Sequence, residues 1–244
     1  GGGAQNCSRA MKVALFDSIP NLNNYDLRGS QTNILLQELE DAKLPRDWVE
    51  KYLGEPQAAQ SRAAALGISK DCFKRCLYAT IMGASLMNYP NANKNQVYAN
   101  LLREFSGNTW RAKQLLPVLN SSLQGLKNEV QQWHRNLVKD PACPRLDQSC
   151  KKVRTLKNAC DQTFKLEGYA ADKLARKAAA FVLQGQEAAF IHCLTALGST
   201  NGFIPISNQH DGLVVIGTIA PTVVDQAAKE TGLRYATLDV KPFL

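Results

Sequence analysis

Two aspartates are the residues of this chain best suited to bind metal ions. Asp26 ends an apolar, strand-like segment, Leu22–Leu27, and precedes a segment with helical periodicity. Asp211 lies at the tip of "FIPISNQHDGLVVIG", where two apolar runs flank an Asp-Gly pair typical of a β-hairpin turn. Two carboxylates that meet at strand ends can bind two divalent cations and leave positions for water and phosphate oxygens. Each aspartate also has a plain structural explanation, as an N-cap or a turn residue.

A row of cations on one helix face is the second candidate. The segment "SKDCFKRCLYATIMGAS" begins with Ser69, a favourable N-cap, and spaces Lys70, Lys74 and Tyr78 by four residues, which puts them on one face. An apolar stripe is predicted beside them, made of Phe73, Leu77, Thr80 and Ile81. The lysines can bind a triphosphate as point charges, and the ring can stack on a base or a sugar. A solvated basic face explains the same pattern.

Strand-like segments near both ends of the chain must position these residues. The predicted strands are 13–16, Leu22–Leu27, the two arms of the hairpin and 235–240. The predicted helical segments are Ser30–Asp41, 45–53, most of 61–134, 170–197 with an interruption at Gln184-Gly185, and 222–231. This order predicts an α+β fold, in which one sheet is built from both ends of the chain around a helical insertion. Such a sheet can bring position 26 beside position 211.

Composition limits the class of protein. The chain has 244 residues, of which 45% are hydrophobic, enough for one large or two small globular domains. No segment approaches the ~20 apolar residues of a membrane span, so no membrane partner is expected. The net charge of +8 and the pI of about 9.1 suit a polyanionic partner, nucleic acid first, or serve solubility alone.

The seven cysteines do not form a recognisable metal or disulfide pattern. The N-terminal segment lacks the apolar region of a secretion signal, so reduced thiols and a cytoplasmic location are expected. The spacing of Cys143, Cys150 and Cys160 fits no common zinc site, and no histidine lies at ligand spacing from them.

Segments of the chain resemble the motifs of family A nucleic acid polymerases, which include bacterial DNA polymerase I and the single-subunit phage RNA polymerases. Motif B of the DNA polymerases reads R-x3-K-x3-[F/Y]-x3-Y-G, and this chain has Lys70-x3-Lys74-x3-Tyr78-x3-Met82-Gly83. Motif C reads H-D-E between apolar strands, and this chain has His210-Asp211-Gly212.

Further segments extend this resemblance over nearly the whole chain, from about Val13 to Leu244. Motif A begins with an aspartate after a strand, as Asp26-Leu27 does here. Gln184-Gly185 resembles the Q-G pair that precedes motif C, and "TGLRYATLDVKPFL" resembles the C-terminal strand. The order of the motifs is that of the family.

The resemblance implies a polymerase palm, with an antiparallel sheet and flanking helices, and a largely helical fingers subdomain. It implies a palm of residues 11–45 and 180–244 and fingers of residues 46–179. No thumb is recognised, since only 25 residues precede Asp26. The resemblance then implies either a fragment of a longer protein, with an additional N-terminal domain or a partner that supplies thumb function, or an unusually small polymerase. The basic stretch around Lys151-Lys152 is a candidate to replace the thumb in part by contacting phosphates. A solvated loop is the alternative for that stretch.

The implied activity is template-directed nucleotidyl transfer, with a DNA polymerase that adds dNTPs to a primer 3′ end as the leading interpretation. An RNA polymerase or primase-like enzyme is one alternative, and a non-catalytic nucleic-acid-binding module is another. Two Mg²⁺ ions, replaceable by Mn²⁺, are implied as cofactors. A primer–template and nucleoside triphosphates are implied as partners.

The resemblance also assigns roles to individual residues. Asp26 and Asp211 are implied as catalytic metal ligands, with the Leu27 carbonyl as a further ligand. The residues implied to bind the nucleotide are Lys70, Lys74, Tyr78 and Gln31. The residues implied to contact the primer–template are His210, Gln184 and Asn33.

Four departures from the family pattern bear on function. Met82 replaces the tyrosine of motif B, and Lys70 replaces an arginine, which loses bidentate phosphate geometry. Gln31 falls where DNA polymerases carry a glutamate that excludes ribose, so the preference for sugar stays open. Gly212 replaces the last acid of H-D-E and removes a third carboxylate.

Overall fold

The computed structural model of the chain describes residues 9–16, 18–149, 153–209 and 211–242. Its α-helices are α1 (Arg9–Phe16), α2 (Ser30–Asp41), α3 (Asp47–Gly54), α4 (Ala58–Leu66), α5 (Lys70–Ile81), α6 (Gln96–Glu104), α7 (Thr109–Lys139), α8 (Ala171–Leu197) and α9 (Pro221–Thr231). Its strands are β1 (Leu22–Leu27), β2 (Thr155–Lys157), β3 (Thr163–Lys165), β4 (Ile204–Gln209), β5 (Gly212–Ile216) and β6 (Leu238–Pro242). The fold is α+β, as the sequence predicts.

The chain divides into two compact units. The sheet unit comprises Gly1–Gln37, Lys157–Thr163 and Phe181–Leu244. The helical unit comprises Glu38–Leu156 and Phe164–Ala180. Helices α2 and α8 each contribute residues to both units.

The sheet unit is built on a four-stranded antiparallel sheet in the order β4-β5-β1-β6. The β4–β5 hairpin lies beside β1, with Leu22 opposite Ile216 and Asp26 opposite Gly212. Strand β6 pairs with the other edge of β1 and places Asp239 opposite Asp26. This arrangement confirms that segments from both ends of the chain form one sheet.

The two faces of β1 differ in polarity. Tyr25 and Leu27 are buried, whereas Asn24 and Asp26 are only half-buried. Successive side chains of a strand point to opposite faces, so Tyr25 and Leu27 belong to the core face and Asp26 to the open face. The Tyr25 hydroxyl accepts a hydrogen bond of 3.0 Å from the Ile219 backbone nitrogen, which fixes the strand to the segment before α9.

The structure corrects three elements predicted from sequence. Residues 13–16 lie in helix α1 and not in a strand, because a short apolar run without alternation does not distinguish the two. The last strand is β6, Leu238–Pro242, so its start is three residues later than predicted. Helix α8 runs through Gln184 and Gly185 without the predicted interruption.

Gly185 serves packing rather than a helix break. A Cβ at this position would collide with the side chain of Asn158, and the Cys160 thiol approaches the Gly185 carbonyl oxygen at 3.3 Å. The short segment 157–163 therefore packs directly on α8, which is possible because the helix has no side chain there.

The helical unit is stabilised by the packing of α5 against its neighbours. The predicted apolar stripe of α5 is buried, and the side chains of Leu101 on α6 and Trp133 on α7 are fully buried as well. Within the described residues, no helix is both long and apolar enough to cross a membrane.

Candidate active site

Asp26 and Asp211 are neighbours in the sheet unit, although they are far apart in the chain. The Leu27 backbone nitrogen donates a hydrogen bond of 2.7 Å to the Asp211 carbonyl oxygen. Asp26 lies directly opposite Gly212, the residue after Asp211. The pairing of β1 with the hairpin therefore brings together the backbone positions of the two aspartates that the sequence singles out.

Basic and polar side chains surround Asp26 on the open face of the sheet. The Asn24 side-chain amide donates a hydrogen bond of 3.2 Å to Asp26 Oδ1, and Lys241 Nζ lies 3.3 Å from Asp26 Oδ2. Asp239 stands opposite Asp26 on β6 and forms an ion pair with Arg28. The two cations offset the repulsion expected between carboxylates that face each other across two strands.

The Asp26 carboxylate lies where a side chain at position 212 would have to go. A Cβ at position 212 would stand 2.7 Å from the Tyr25 carbonyl oxygen and 2.8 Å from Asp26 Oδ1. The glutamate that polymerases of the resembled family carry here does not fit this strand pairing. The departure at Gly212 is thus coupled to the position of Asp26.

A cavity of about 540 Å³ opens beside Asp211 within the sheet unit. It is lined by Gln31, Gln184, Glu187, Ala188 and Asp211. Three of these residues are ones the sequence singles out, namely Gln31, Gln184 and Asp211. The Gln31 side-chain oxygen is buried and has no hydrogen-bond partner among the described residues, so it is an acceptor still to be satisfied.

Glu187 is a residue of this cavity that the sequence analysis missed. Its side chain is buried, with the residue only 5% exposed, and Oε1 accepts a hydrogen bond of 2.5 Å from the Ser30 hydroxyl. Burial raises the pKa of the Glu187 carboxyl to about 7, the Ser30 hydrogen bond opposes this rise, and the charge of Asp211 adds to it. The signal in the sequence is a glutamate one turn after Gln184, in a segment whose only other polar residue is Gln186.

The structure locates Asn33 and Gln184, two of the three residues predicted to contact the primer–template. Asn33 donates its side-chain amide to the Arg28 carbonyl oxygen at 2.9 Å, so it holds the turn between β1 and α2. Gln184 lines the cavity. His210 lies outside the described residues.

Helix α5 of the helical unit carries the predicted cation row. The Ser69 hydroxyl caps the helix by accepting from the Cys72 backbone nitrogen at 3.1 Å. Lys70 is exposed, whereas Lys74 and Tyr78 are half-buried. Lys74 Nζ lies 6.0 Å from the centre of the Tyr78 ring, which confirms that these two side chains share one helix face.

The basic stretch between α7 and α8, 140–160, is described except for residues 150–152. Its described part contains β2, and three of its cations already have partners. Arg145 forms an ion pair with Glu38, Arg154 donates to the carbonyl oxygens of Val138 and Asp140, and Lys157 pairs with Asp161. Lys151 and Lys152 lie outside the described residues, as does Cys150.

The donor set around Asp26 and Asp211 contains oxygen atoms, which are the ligands that Mg²⁺ prefers. The described part of the chain holds no cluster of three or more acidic, histidine or cysteine side chains at metal-binding distance. A Mg²⁺ ion takes only one or two protein carboxylates and completes its shell with water and substrate phosphates. The oxygen donors of two aspartates and a carbonyl group are therefore of the chemical type that this metal binds.

Comparison with solved structures identifies a protein of similar fold. The chain is similar to the POL domain of Pol1 from M. smegmatis, solved in complex with a DNA primer-template and dNTP. The TM-score is 0.51 at 15% sequence identity, over 90% of this chain. This chain has a DNA polymerase-like fold. It spans 38% of the length of the M. smegmatis protein chain, no family model matches it, and no curated protein matches it by sequence.

The architecture of each unit agrees with the polymerase-like fold. An antiparallel sheet with flanking helices is consistent with a palm, and a helical unit is consistent with fingers. The sheet unit adds three side chains to the residues found from sequence, namely Glu187 of α8 and Asp239 and Lys241 of β6.

Proposed function

We propose that this chain is a template-directed nucleotidyltransferase that adds dNTPs to the 3′ end of a primer. The observation that carries the proposal is the pairing of β1 with β5, which sets Asp26 opposite Gly212 beside Asp211 in a polymerase-like fold. Both aspartates are accessible, because Asp26 lies on the open face of the sheet and Asp211 is exposed. Accessible carboxylates at neighbouring positions of a sheet are what a site for divalent cations requires.

Asp26 and Asp211, with the Leu27 carbonyl, are the proposed ligands of two Mg²⁺ ions. The chemistry that such ions supply is activation of the primer hydroxyl and stabilisation of the pyrophosphate leaving group. Metal binding would then require the ion pair between Lys241 and Asp26 to break. The Lys241 side chain is 65% exposed, and an ion pair that exposed contributes little free energy, so the exchange is inexpensive.

The remaining proposed roles concern binding. Lys70 and Lys74 neutralise the triphosphate, and Tyr78 packs on the sugar and base of the nucleotide. Gln31 offers its buried, unsatisfied oxygen to a donor in the cavity, such as a sugar hydroxyl. Gln184, Asn33 and His210 contact the primer–template.

Primer extension tests the proposal. A labelled primer–template is incubated with Mg²⁺ and the chain, with dNTPs in one reaction and NTPs in another. We expect extension with dNTPs and a loss of at least about a hundredfold in Asp211→Asn, since a removed metal ligand affects the reaction itself. Extension with NTPs alone identifies an RNA polymerase instead.

The matched control is Asp225→Asn, a change of the same kind at an exposed aspartate of α9 in the same unit. This variant should extend the primer at the wild-type rate. Absence of extension in both wild-type reactions, or extension that survives in Asp211→Asn, contradicts the proposal.

A further inference from the structure

Trp110 is the most exposed large apolar side chain among the described residues. It is the second residue of α7, and 71% of its surface is exposed. A single exposed apolar residue needs no special explanation. Trp110 differs because several cations lie near it in the sequence, on the same turn of the chain.

Three cations accompany Trp110 at the turn between α6 and α7. They are Arg103 near the end of α6 and Arg111 and Lys113 near the start of α7, all exposed. None of the three forms an ion pair within the described part of the chain. We call these residues, together with Trp110, the α6–α7 surface.

The one acid of this turn does not neutralise these cations. Glu104 accepts hydrogen bonds from the Ser69 backbone nitrogen and hydroxyl at 2.6 and 2.7 Å. It also lies 3.7 Å from the Arg75 guanidinium. Both oxygens of Glu104 are therefore engaged with the start of α5, the helix whose first residue is Lys70.

The charges at the start of α7 run against the preference of a helix. The helix dipole favours acidic residues in the first turn, but α7 has none there and has Arg111 instead. Residues that oppose the local preference of a helix or strand are expected at functional sites. The positive end of the helix and the three cations together make this surface attractive to an anion.

Arg111 is held in place before any ligand binds. Its guanidinium lies 4.5 Å from the centre of the Phe105 ring, and its backbone nitrogen donates to the Asn108 side chain at 3.0 Å. Stacking on a ring leaves the edge of the guanidinium free to donate hydrogen bonds to phosphate oxygens. This ring contact meets part of the cost of ordering the side chain.

We propose that the α6–α7 surface binds single-stranded nucleic acid, with a base stacked on Trp110 and the backbone phosphates on Arg103, Arg111 and Lys113. An exposed flat ring among unpaired cations is the combination by which proteins bind single strands without sequence preference. A duplex hides its base faces, so it uses the cations but not the ring. The surface lies in the helical unit and requires neither Asp26 nor Asp211.

Tryptophan fluorescence gives a direct test with the full chain. The chain has three tryptophans, of which Trp133 is fully buried and Trp48 is stacked on Tyr52. Twelve-residue oligothymidylate is titrated in EDTA without nucleotides. We expect saturable quenching that Trp110→Phe removes while binding, followed by anisotropy of a labelled strand, is largely kept.

Substitutions then separate the ring from the charges. Trp110→Ala should weaken binding at least about fivefold, the usual effect of losing one stacked base. Arg111→Ala should reduce the slope of log affinity against log salt by about 0.7, the loss of one phosphate contact with a single strand. Lys139→Ala, at the far end of the same helix and also exposed, is the matched control and should leave affinity unchanged.

Three results overturn the inference. They are unchanged affinity in Trp110→Ala, tighter binding of duplex than of single strand, and equal binding of polyglutamate, which identifies an acidic protein partner. Asp211→Asn should bind oligothymidylate like the wild type, so failure of this surface and failure of the polymerase proposal are distinguishable.

Discussion

The two groups of candidate residues in this protein are positioned in opposite ways. Asp26 and Asp211 meet only because β1 pairs with a hairpin from the other end of the chain. Lys70, Lys74 and Tyr78 share a face because they follow one another at helical spacing in α5. A site built by strand pairing depends on every residue at the pairing line, whereas a helix face depends chiefly on the helix itself.

The sheet and helical units also differ in how they bury ionisable groups. Glu187 lies in the sheet unit with a pKa raised by burial to about 7. His134 lies in the helical unit, where burial, reinforced by the charge of Lys127, lowers its pKa to about 4. Its Nε2 lies 3.2 Å from the Ile81 carbonyl oxygen at the end of α5. Burial therefore has opposite effects in the two units. As pH rises, the contribution of Glu187 to the free energy of unfolding falls and that of His134 rises.

The largest expected effect is the pH dependence that Glu187 gives to stability. Its pKa is raised in the folded state, so the folded chain holds a proton that the unfolded chain releases above its ordinary value of 4.5. This contribution is fully present below pH 4.5 and is lost as pH rises through about 7. The free energy of unfolding should fall by on the order of 3 kcal/mol over that window.

Urea denaturation of the wild type and Glu187→Gln from pH 4 to 8 measures this effect. The difference in unfolding free energy between the two proteins should shrink or change sign as pH rises, because glutamine does not titrate. The His134 contribution has the opposite sign and is common to both proteins, so it cancels in the difference. A difference that does not depend on pH contradicts the prediction.

Gly212→Ala should break the tertiary arrangement on which the two aspartates depend. The added Cβ meets the Tyr25 carbonyl oxygen and the Asp26 carboxylate, so the β1–β5 pair must shift. We expect a loss of about 2 kcal/mol of unfolding free energy, typical of a side chain forced into a filled space. Gly54→Ala, where nothing lies within 4 Å, is the control and should cost nothing. Equal stability of the two variants contradicts this account of Gly212.

Ser69→Ala tests the locally built group in the same way. The hydroxyl of Ser69 caps α5 and also donates to Glu104, so its loss should destabilise the chain by about 1 kcal/mol. The positions of Asp26 and Asp211 should be unaffected. Thermal unfolding measures the change, with Ser121→Ala on the exposed side of α7 as the control. If Asp26 and Asp211 bind Mn²⁺ as proposed, a loss of that binding in Ser69→Ala would contradict the separation of the two groups.

Lys241→Ala should have the smallest effect, and it acts on the open face of the sheet. Removing the ammonium group at 3.3 Å from Asp26 frees that carboxylate. An exposed ion pair contributes about 0.2–1 kcal/mol, so the Mn²⁺ affinity of the proposed metal site should rise by no more than about fivefold. Isothermal titration with Mn²⁺ measures the change, and Lys229→Ala on α9 serves as the exposed control. A weaker affinity in Lys241→Ala shows that Lys241 supports the site instead of competing for it.

The amino-acid sequence by itself determined the elements whose signals are local. The N-cap at Ser69 and the four-residue spacing specify α5 and its face, and the Asp211-Gly212 turn specifies the hairpin. Local signals failed at α1, whose short apolar run suits either structure, and at Gly185, whose partner Asn158 is distant in sequence. Both failures have the same cause, because the sequence of a segment does not specify which distant residues pack against it.

Only the tertiary structure decided the surroundings of the two aspartates. Strand pairing placed Asp239 and Lys241 around Asp26 and left Gly212 no room for a side chain. The packing of α8 buried Glu187 against Ser30 at the cavity that Asp211 lines. These relations join residues from opposite ends of the chain, and the periodicity of a single segment reports only which of its own residues share a face.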